Sequence, residues 1–207
     1  MLGFYNYTVV LTYLGMLISF LGISFTITGN FHSALICLMI SGLCDMFDGA
    51  IASTKVRTPQ EKRFGIQIDS LSDLICFGVF PALIVYQAVS DLTVVFYIAG
   101  FYTLCALIRL AFFNVDEEER QEQTQESRKV YRGLPVTTVA LILPALFCIC
   151  RLVSWPLRIA APAVLFLMAV AFLTPFPLKK PALPGKVSMV ICGAAELLLL
   201  IFSGVDV

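Results

Sequence analysis

The sequence predicts an all-α, polytopic transmembrane helical bundle, and three observations carry that prediction. Of 207 residues, 59% are hydrophobic and 14% are charged, against roughly 25% charged in an ordinary soluble domain. Mean hydropathy is +0.90. Residues 1–44 contain no Asp, Glu, Lys or Arg, and neither do 74–90, 92–108, 133–150 and 159–178. Runs of this length approach the ~20 residues that a helix needs to cross a bilayer. The chain is long enough for one domain with a sizeable core, read as a single membrane domain over 1–207.

Seven spans are expected. The first, 7–26, ends in the tight sequence TITGN at 26–30. No basic region or small-residue cleavage site precedes it, so it is expected to stay in the membrane and not to act as a cleaved signal peptide. The second, 31–51, is apolar until Asp45 and Asp48 near its end. The third, 68–88, opens on Asp69 and Asp73 and continues uncharged. The fourth, 91–113, is interrupted by Arg109. The polar stretch 116–129 after it reads as a surface loop or short amphipathic helix, with Asp116, Glu117, Glu118 and Glu119 as a solvated face. The fifth and sixth spans are 135–152 and 157–174. Pro135 and Pro156 fit first-turn positions, whereas Pro144 and Pro162 predict kinks. The seventh, 186–204, contains Glu196, to which the pattern assigns no role. There is no internal repeat.

Charge is concentrated in three loops, 55–63, 116–132 and 179–186, which these spans put on one side. The positive-inside tendency makes that side cytoplasmic, with the N-terminus inside and the C-terminus outside. Arg151 and Arg158, by the opposite short loop, run against this assignment. A formal net charge of 0 gives no electrostatic reason to expect a nucleic-acid polymer as partner. The seven cysteines lie mostly in apolar text and show no metal-ligand spacing with His32, so they read as small buried hydrophobes.

The chemistry is concentrated in CDMFDGAIAS, 44–53, and FGIQIDSLSDLICFG, 64–78. Asp45 and Asp48 are three apart and Asp69 and Asp73 four apart, so each pair shares a helix face. Antiparallel helices joined by the basic loop would bring both pairs together at the membrane rim. Four unpaired carboxylates there would be costly, and a hard divalent cation is a natural counter-charge. Two such ions would suit displacement at a phosphoryl group. The same spacing also fits interfacial aspartates paired with nearby Lys or Arg, or an ion-coupled transporter. A transporter predicts carboxylates near mid-bilayer and related half-repeats. Here the carboxylates lie at span ends. Gly49, Ala50, Ala52 and Gly65 would let a helix or a flat ligand approach the backbone. Arg109, a charge in an apolar run, is either a functional residue or a side chain snorkelling to the interface.

Asp45-x-x-Asp48-Gly49-x-x-Ala52 followed by Gly65-x-x-x-Asp69-x-x-x-Asp73 resembles the signature of the CDP-alcohol phosphatidyltransferase family. LICFGVFPA at 74–82, RLAFFNV at 109–115 and YRGLP at 131–135 resemble its phosphatidylserine synthase branch, and FYNYTVVLTYLG at 4–15 resembles the start of bacterial members. The resemblance covers roughly residues 1–145. It implies a six-helix core, with the seventh span as a C-terminal addition, in a bacterial cell membrane with the site facing the cytoplasm. It implies transfer of the phosphatidyl group of CDP-diacylglycerol to L-serine, with release of CMP. The same fold also serves other acceptors, such as glycerol-3-phosphate or inositol phosphate.

By this resemblance Asp45, Asp48, Asp69 and Asp73 bind Mg2+ or Mn2+, and Asp73 is also the general base. Gly49, Ala52, Gly65 and Asp48 line the donor site. Arg109, Lys129 and Arg132 are candidates for a phosphate or the serine carboxylate, and Asn114 and Phe77–Pro81 for shaping the acceptor pocket. A homodimer is implied as well. Two departures stand out. Ser53 occupies the position where the family usually has Arg, and the gap to Gly65 is longer than common. Lys55 or Arg57 is the candidate to supply that charge; a noncatalytic membrane scaffold is the alternative that Ser53 raises, against which the four aspartates argue.

Overall fold

A computed structural model of the chain describes residues 3–89, 91, 93–123, 130–179 and 183–203. A short 3-10 turn, Tyr7–Val9, leads into α1, Val10–Ile27. Helix α2 is Phe31–Ala52, reached through a turn in which Gly29 adopts φ 79° and Asn30 caps Ser33 N at 3.0 Å. Helix α3, Pro59–Asp73, runs through a π-helical turn, Leu74–Val79, into α4, Phe80–Ala88. Then come α5, Thr93–Gln123, and β1, Val130–Arg132. A 3-10 turn, Val136–Thr138, opens α6, Val139–Leu152. Helix α7, Leu157–Leu173, β2, Pro177–Lys179, and α8, Leu183–Ser203, complete the order.

Four of these rods are long and apolar enough to cross a membrane, Tyr7–Ile27, Phe31–Ala52, Pro59–Ala88 and Thr93–Glu119; Val136–Leu152, Leu157–Leu173 and Val190–Ile201 are shorter apolar helices. The architecture is therefore a polytopic helical bundle. Its interior is a layer of fully buried side chains, among them Leu35, Leu38, Phe77, Phe80, Ile84, Tyr102, Phe147 and Phe172. Its exterior is apolar too: Leu17, Phe20, Phe96, Leu104, Leu107 and Leu167 are exposed. Helices that are hydrophobic on both inner and outer faces fit a lipid surround. No disulfide joins any of the seven cysteines, and five of them are buried.

Helix α1 packs most extensively on α2. The reason is legible along α1, where Thr12, Gly15, Ser19, Gly22 and Thr26 are its buried residues. They recur at three- and four-residue intervals, and small residues on one stripe allow close backbone approach. At Gly22 the approach is extreme, since a Cβ there would lie 2.2 Å from Phe80 Cζ and 2.8 Å from Cys37 Cβ.

Three boundaries differ from expectation. The third span begins at Pro59, not at 68, because Thr58 and Glu61 form a capping box and proline suits a first turn. The fourth continues to Gln123, so residues 116–123 prolong α5 and are not a separate loop. Pro135 and Pro156 sit one position before their helices, as N-caps, whereas Pro144 and Pro162 lie inside α6 and α7. The small antiparallel ribbon had no expectation behind it: Val130, Tyr131 and Arg132 face Lys179, Leu178 and Pro177. Gly133 closes it with φ 77° and donates its N–H to Phe176 O at 2.8 Å. A Cβ there would meet Thr174 O at 2.9 Å, which a side chain could not tolerate.

The ribbon ties the α5–α6 and α7–α8 connections together. Ser70 Oγ donates to Asn114 Oδ1 at 2.6 Å, which joins α3 to the same end of α5. The three charged connections thus share one end of the bundle. At the other end, Arg158 Nη2 lies 2.8 Å from Asp91 Oδ2 and pins the α4–α5 and α6–α7 connections to each other.

Candidate active site

Helices α2 and α3 cross so that their carboxylates meet. Asp45 and Asp48 leave α2 in its last two turns, and Asp69 and Asp73 leave α3 from its second half. One oxygen from each of Asp45, Asp48 and Asp69 lies within 4.8 Å of the others. Asp73 joins this group through Asp45, and Asp48 is paired with Asp69, each within side-chain hydrogen-bonding reach. The pairs predicted from spacing thus face each other across the α2–α3 crossing.

All four carboxyls are half-buried. Among the described residues, no lysine or arginine forms an ion pair with any of them. The interfacial-pair reading therefore finds no support in the geometry. Clustered carboxylates with no protein cation are strongly unfavourable in a partly desolvated place. The donor set is made only of hard oxygens, which fits a divalent cation of the Mg2+ or Ca2+ type and not a soft metal.

The surroundings are polar on one side. Thr12 Oγ1 donates to Asp48 Oδ2 at 3.3 Å, and Ser72 Oγ donates to the Thr12 carbonyl at 3.4 Å. Ser19 Oγ donates to Ser41 Oγ at 2.8 Å, and Ser41 Oγ to Gly15 O at 3.1 Å. A small cavity between α1, α2 and α3 is lined by Thr12, Gly15, Ser41, Asp45, Ser72 and Asp73. Sequence reasoning missed Thr12 and Ser72. The signal for Thr12 was its place in the small-residue stripe of α1.

The remaining predicted site residues are distributed as follows. Gly49 is exposed, and a Cβ there would meet nothing within 4 Å. Ala52 is half-buried in the last turn of α2, and Ser53 caps that helix with its hydroxyl on Ala50 O at 2.6 Å. Gly65 lies one turn before Asp69 and is covered by Arg57, whose Nη1 would be 3.0 Å from a Cβ. Lys55 Nζ lies 3.5 Å from Glu61 Oε1.

Arg109 is buried, at 7% exposure, and does not snorkel. Its Nε donates to Leu134 O at 3.4 Å and its Cζ stands 5.7 Å from the Phe113 ring centre, so it fastens α5 to the turn after β1. Arg132 lies in β1, and Lys129 falls outside the described residues.

The backbone below Asp73 is held from α5. Pro81 lacks the N–H that would pair with the Phe77 carbonyl, the group four residues earlier. Tyr102 Oη donates to that carbonyl at 2.7 Å, and Thr103 Oγ1 donates to Gly78 O at 3.2 Å. The π turn beside Asp73 is thereby satisfied by side chains of another helix. π turns of this kind are frequent at functional sites.

The description "CDP-alcohol phosphatidyltransferase" belongs to the family whose pattern matches residues 5–175 of this chain. A CDP-diacylglycerol–serine O-phosphatidyltransferase of Saccharomyces cerevisiae is 35% identical over 130 residues, covering 60% of this chain and 46% of that protein. An archaetidylserine synthase of Methanothermobacter thermautotrophicus is 32% identical over 129 residues, 62% of this chain and 52% of that protein. A CDP-diacylglycerol–serine O-phosphatidyltransferase of Bacillus subtilis is 28% identical over 116 residues, 55% of this chain and 59% of that protein. The chain thus spans about half the length of these curated relatives. The family match takes in α1 to α7 and stops before α8, and by its extent the chain belongs to the CDP-alcohol phosphatidyltransferase family.

Proposed function

We propose that the chain transfers the phosphatidyl group of CDP-diacylglycerol to L-serine, forming phosphatidylserine and CMP. The observation that carries this reading is the convergence of Asp45, Asp48 and Asp69 from two helices, with Asp73 against Asp45. The names of the relatives, each built on serine, favour that acceptor over glycerol-3-phosphate or inositol phosphate.

Asp45, Asp48, Asp69 and Asp73 are the residues that would hold Mg2+ or Mn2+. When bound, such an ion neutralises the donor diphosphate and the charge on departing CMP. Asp73 accepts the serine hydroxyl proton, since a free hydroxyl is a weak nucleophile without an adjacent base. The serine oxygen attacks the lipid-side phosphorus, the bond from that phosphorus to the CMP oxygen breaks, and CMP leaves as the anion. Asp48, Gly49, Ala52 and Gly65 border the nucleotide, with Lys55 at the edge of that region. Arg109, Lys129 and Arg132 are the candidates for the serine carboxylate or a phosphate. The site faces the cytoplasm, where serine and nucleotide are dissolved, while the acyl chains stay in the bilayer. The family resemblance further implies a homodimer.

The test is an assay of purified protein with CDP-diacylglycerol and labelled serine, glycerol-3-phosphate or inositol phosphate. Phosphatidylserine should form with Mg2+ or Mn2+ and stop with chelator. Transfer to glycerol-3-phosphate but not serine would reassign the acceptor. No donor-dependent CMP release with any metal would end the transferase reading.

A further inference from the structure

We propose that Thr12 is a positioning residue: its hydroxyl, reaching across from α1, holds the Asp48 carboxylate in the orientation in which it binds a divalent cation. The inference rests on the transferase reading above and brings into its site a helix that carries none of the carboxylates.

Thr12 is buried, at 8% exposure, and its polar groups go to the two helices that carry the aspartates. Its Oγ1 donates to Asp48 Oδ2 of α2 at 3.3 Å. Its carbonyl accepts from Ser72 Oγ of α3 at 3.4 Å, and Ser72 is the neighbour of Asp73 in the chain. One residue of α1 is thereby bonded on both sides of the α2–α3 crossing. Thr12, Asp45, Asp48, Ser72 and Asp73 line one small cavity, so these bonds lie at the carboxylates themselves.

The reach of so short a side chain depends on the backbone. One turn along from Thr12, a Cβ on Gly15 would stand 3.3 Å from Cys44 Cβ and 3.6 Å from Ser41 Oγ, so α1 and α2 lie close together there. The hydroxyl also has another use open to it. A helical threonine can satisfy its hydroxyl on a carbonyl three or four residues back, as Thr26 does on Gly22 O at 3.0 Å. A bond of that kind would make Thr12 plain packing. Spent on Asp48 instead, the proton fixes one carboxylate oxygen and with it the side-chain rotamer. Asp45, Asp48 and Asp69 repel one another when ionised, and a fixed donor keeps Asp48 from turning out of the cluster. A ligand already held in place lowers the ordering cost of binding the cation.

The test is Mn2+ binding to the purified full chain in neutral detergent, read by electron paramagnetic resonance of the free ion with no nucleotide present. Thr12→Val, which keeps the shape and removes the hydroxyl, should weaken Mn2+ binding about ten- to a hundredfold, the usual weight of a bond that orients a metal ligand. Thr12→Ser, which keeps the hydroxyl, should restore most of the affinity. Ser19→Ala is the control: Ser19 lies two turns further along the same face of α1 and donates to Ser41 Oγ at 2.8 Å, not to a carboxylate. Its loss should lower the melting temperature and leave Mn2+ affinity unchanged. In turnover, the Mg2+ concentration for half-maximal transfer should rise in Thr12→Val by the same factor as the Mn2+ dissociation constant, with KM for serine unchanged.

Wild-type Mn2+ affinity in a folded Thr12→Val would overturn the assignment and leave the transferase reading standing. So would an equal loss in Thr12→Ser or Ser19→Ala, because the packing of α1, not the Thr12 hydroxyl, would then set the affinity. If Thr12→Val fails to fold, Thr12→Cys, near in size with a far weaker donor, decides, and wild-type affinity in that variant overturns the proposal. A wild-type chain that binds no Mn2+ would overturn the proposal, and if it also released no CMP from the donor with any metal, the transferase reading would fall with it.

Discussion

Asp73 is the last residue of α3 before the π turn and lines one cavity with Asp45 of α2. If it accepts the serine proton, Asp73→Asn removes the base with almost no change of shape. Transfer should then fall by roughly 10²–10⁴-fold, the usual weight of a general base, with CDP binding retained. Radiolabelled serine incorporation, measured beside calorimetric titration with CDP, checks both halves of that expectation. The four aspartates were legible in the chain because charge inside apolar text is expensive and therefore informative. Thr12 and Ser72 were not, since a hydroxyl in a membrane helix can satisfy itself on its own backbone, as Thr26 does on Gly22 O at 3.0 Å. Only the crossing shows that Thr12 Oγ1 instead reaches Asp48.

Two elements position that site. The segment from Pro59 to Ala88 is one rod with a π turn in its middle, and the turn depends on α5. Tyr102→Phe would leave the buried Phe77 carbonyl without its donor, at a cost of about 1–3 kcal/mol. The measurement is a lowered melting temperature in detergent, accompanied by slower transfer because Asp73 adjoins the turn. The α1–α2 pair is the other element. Gly22→Ala would drive a methyl into Phe80 and Cys37, and overpacking of this kind costs about 1–3 kcal/mol. A chemical-denaturation midpoint below wild type checks it. The capping box of α3 was available in the text as Thr58-Pro59-Gln60-Glu61, and the charged loop around it masked the signal.

Across the bundle, the carboxylates, the 53–58 turn, the end of α5 and the β ribbon gather at one end, and the Arg158–Asp91 pair marks the other. Cysteine labelling tests which end faces the cytoplasm. In intact cells an impermeant maleimide should modify Val153→Cys, in the turn after α6, and should leave Gln60→Cys unmodified until the membrane is broken. The opposite pattern would reverse the orientation that the charged loops predict.

The fold class and the carboxylate pairs were written in linear order. Hydrophobic run length reports bilayer crossing, and helical spacing reports shared faces, because both are local properties of the chain. The β ribbon, the Tyr102 and Thr103 bonds to the π turn, the burial of Arg109 and the placement of Arg57 over Gly65 were not readable in that way. Each joins residues from different elements, and which groups meet depends on how those elements pack. The same holds for the missing protein counter-charge at the site. Spacing puts two carboxylates on each of two helices, but the absence of any Lys or Arg partner among the described residues emerges only when the helices cross.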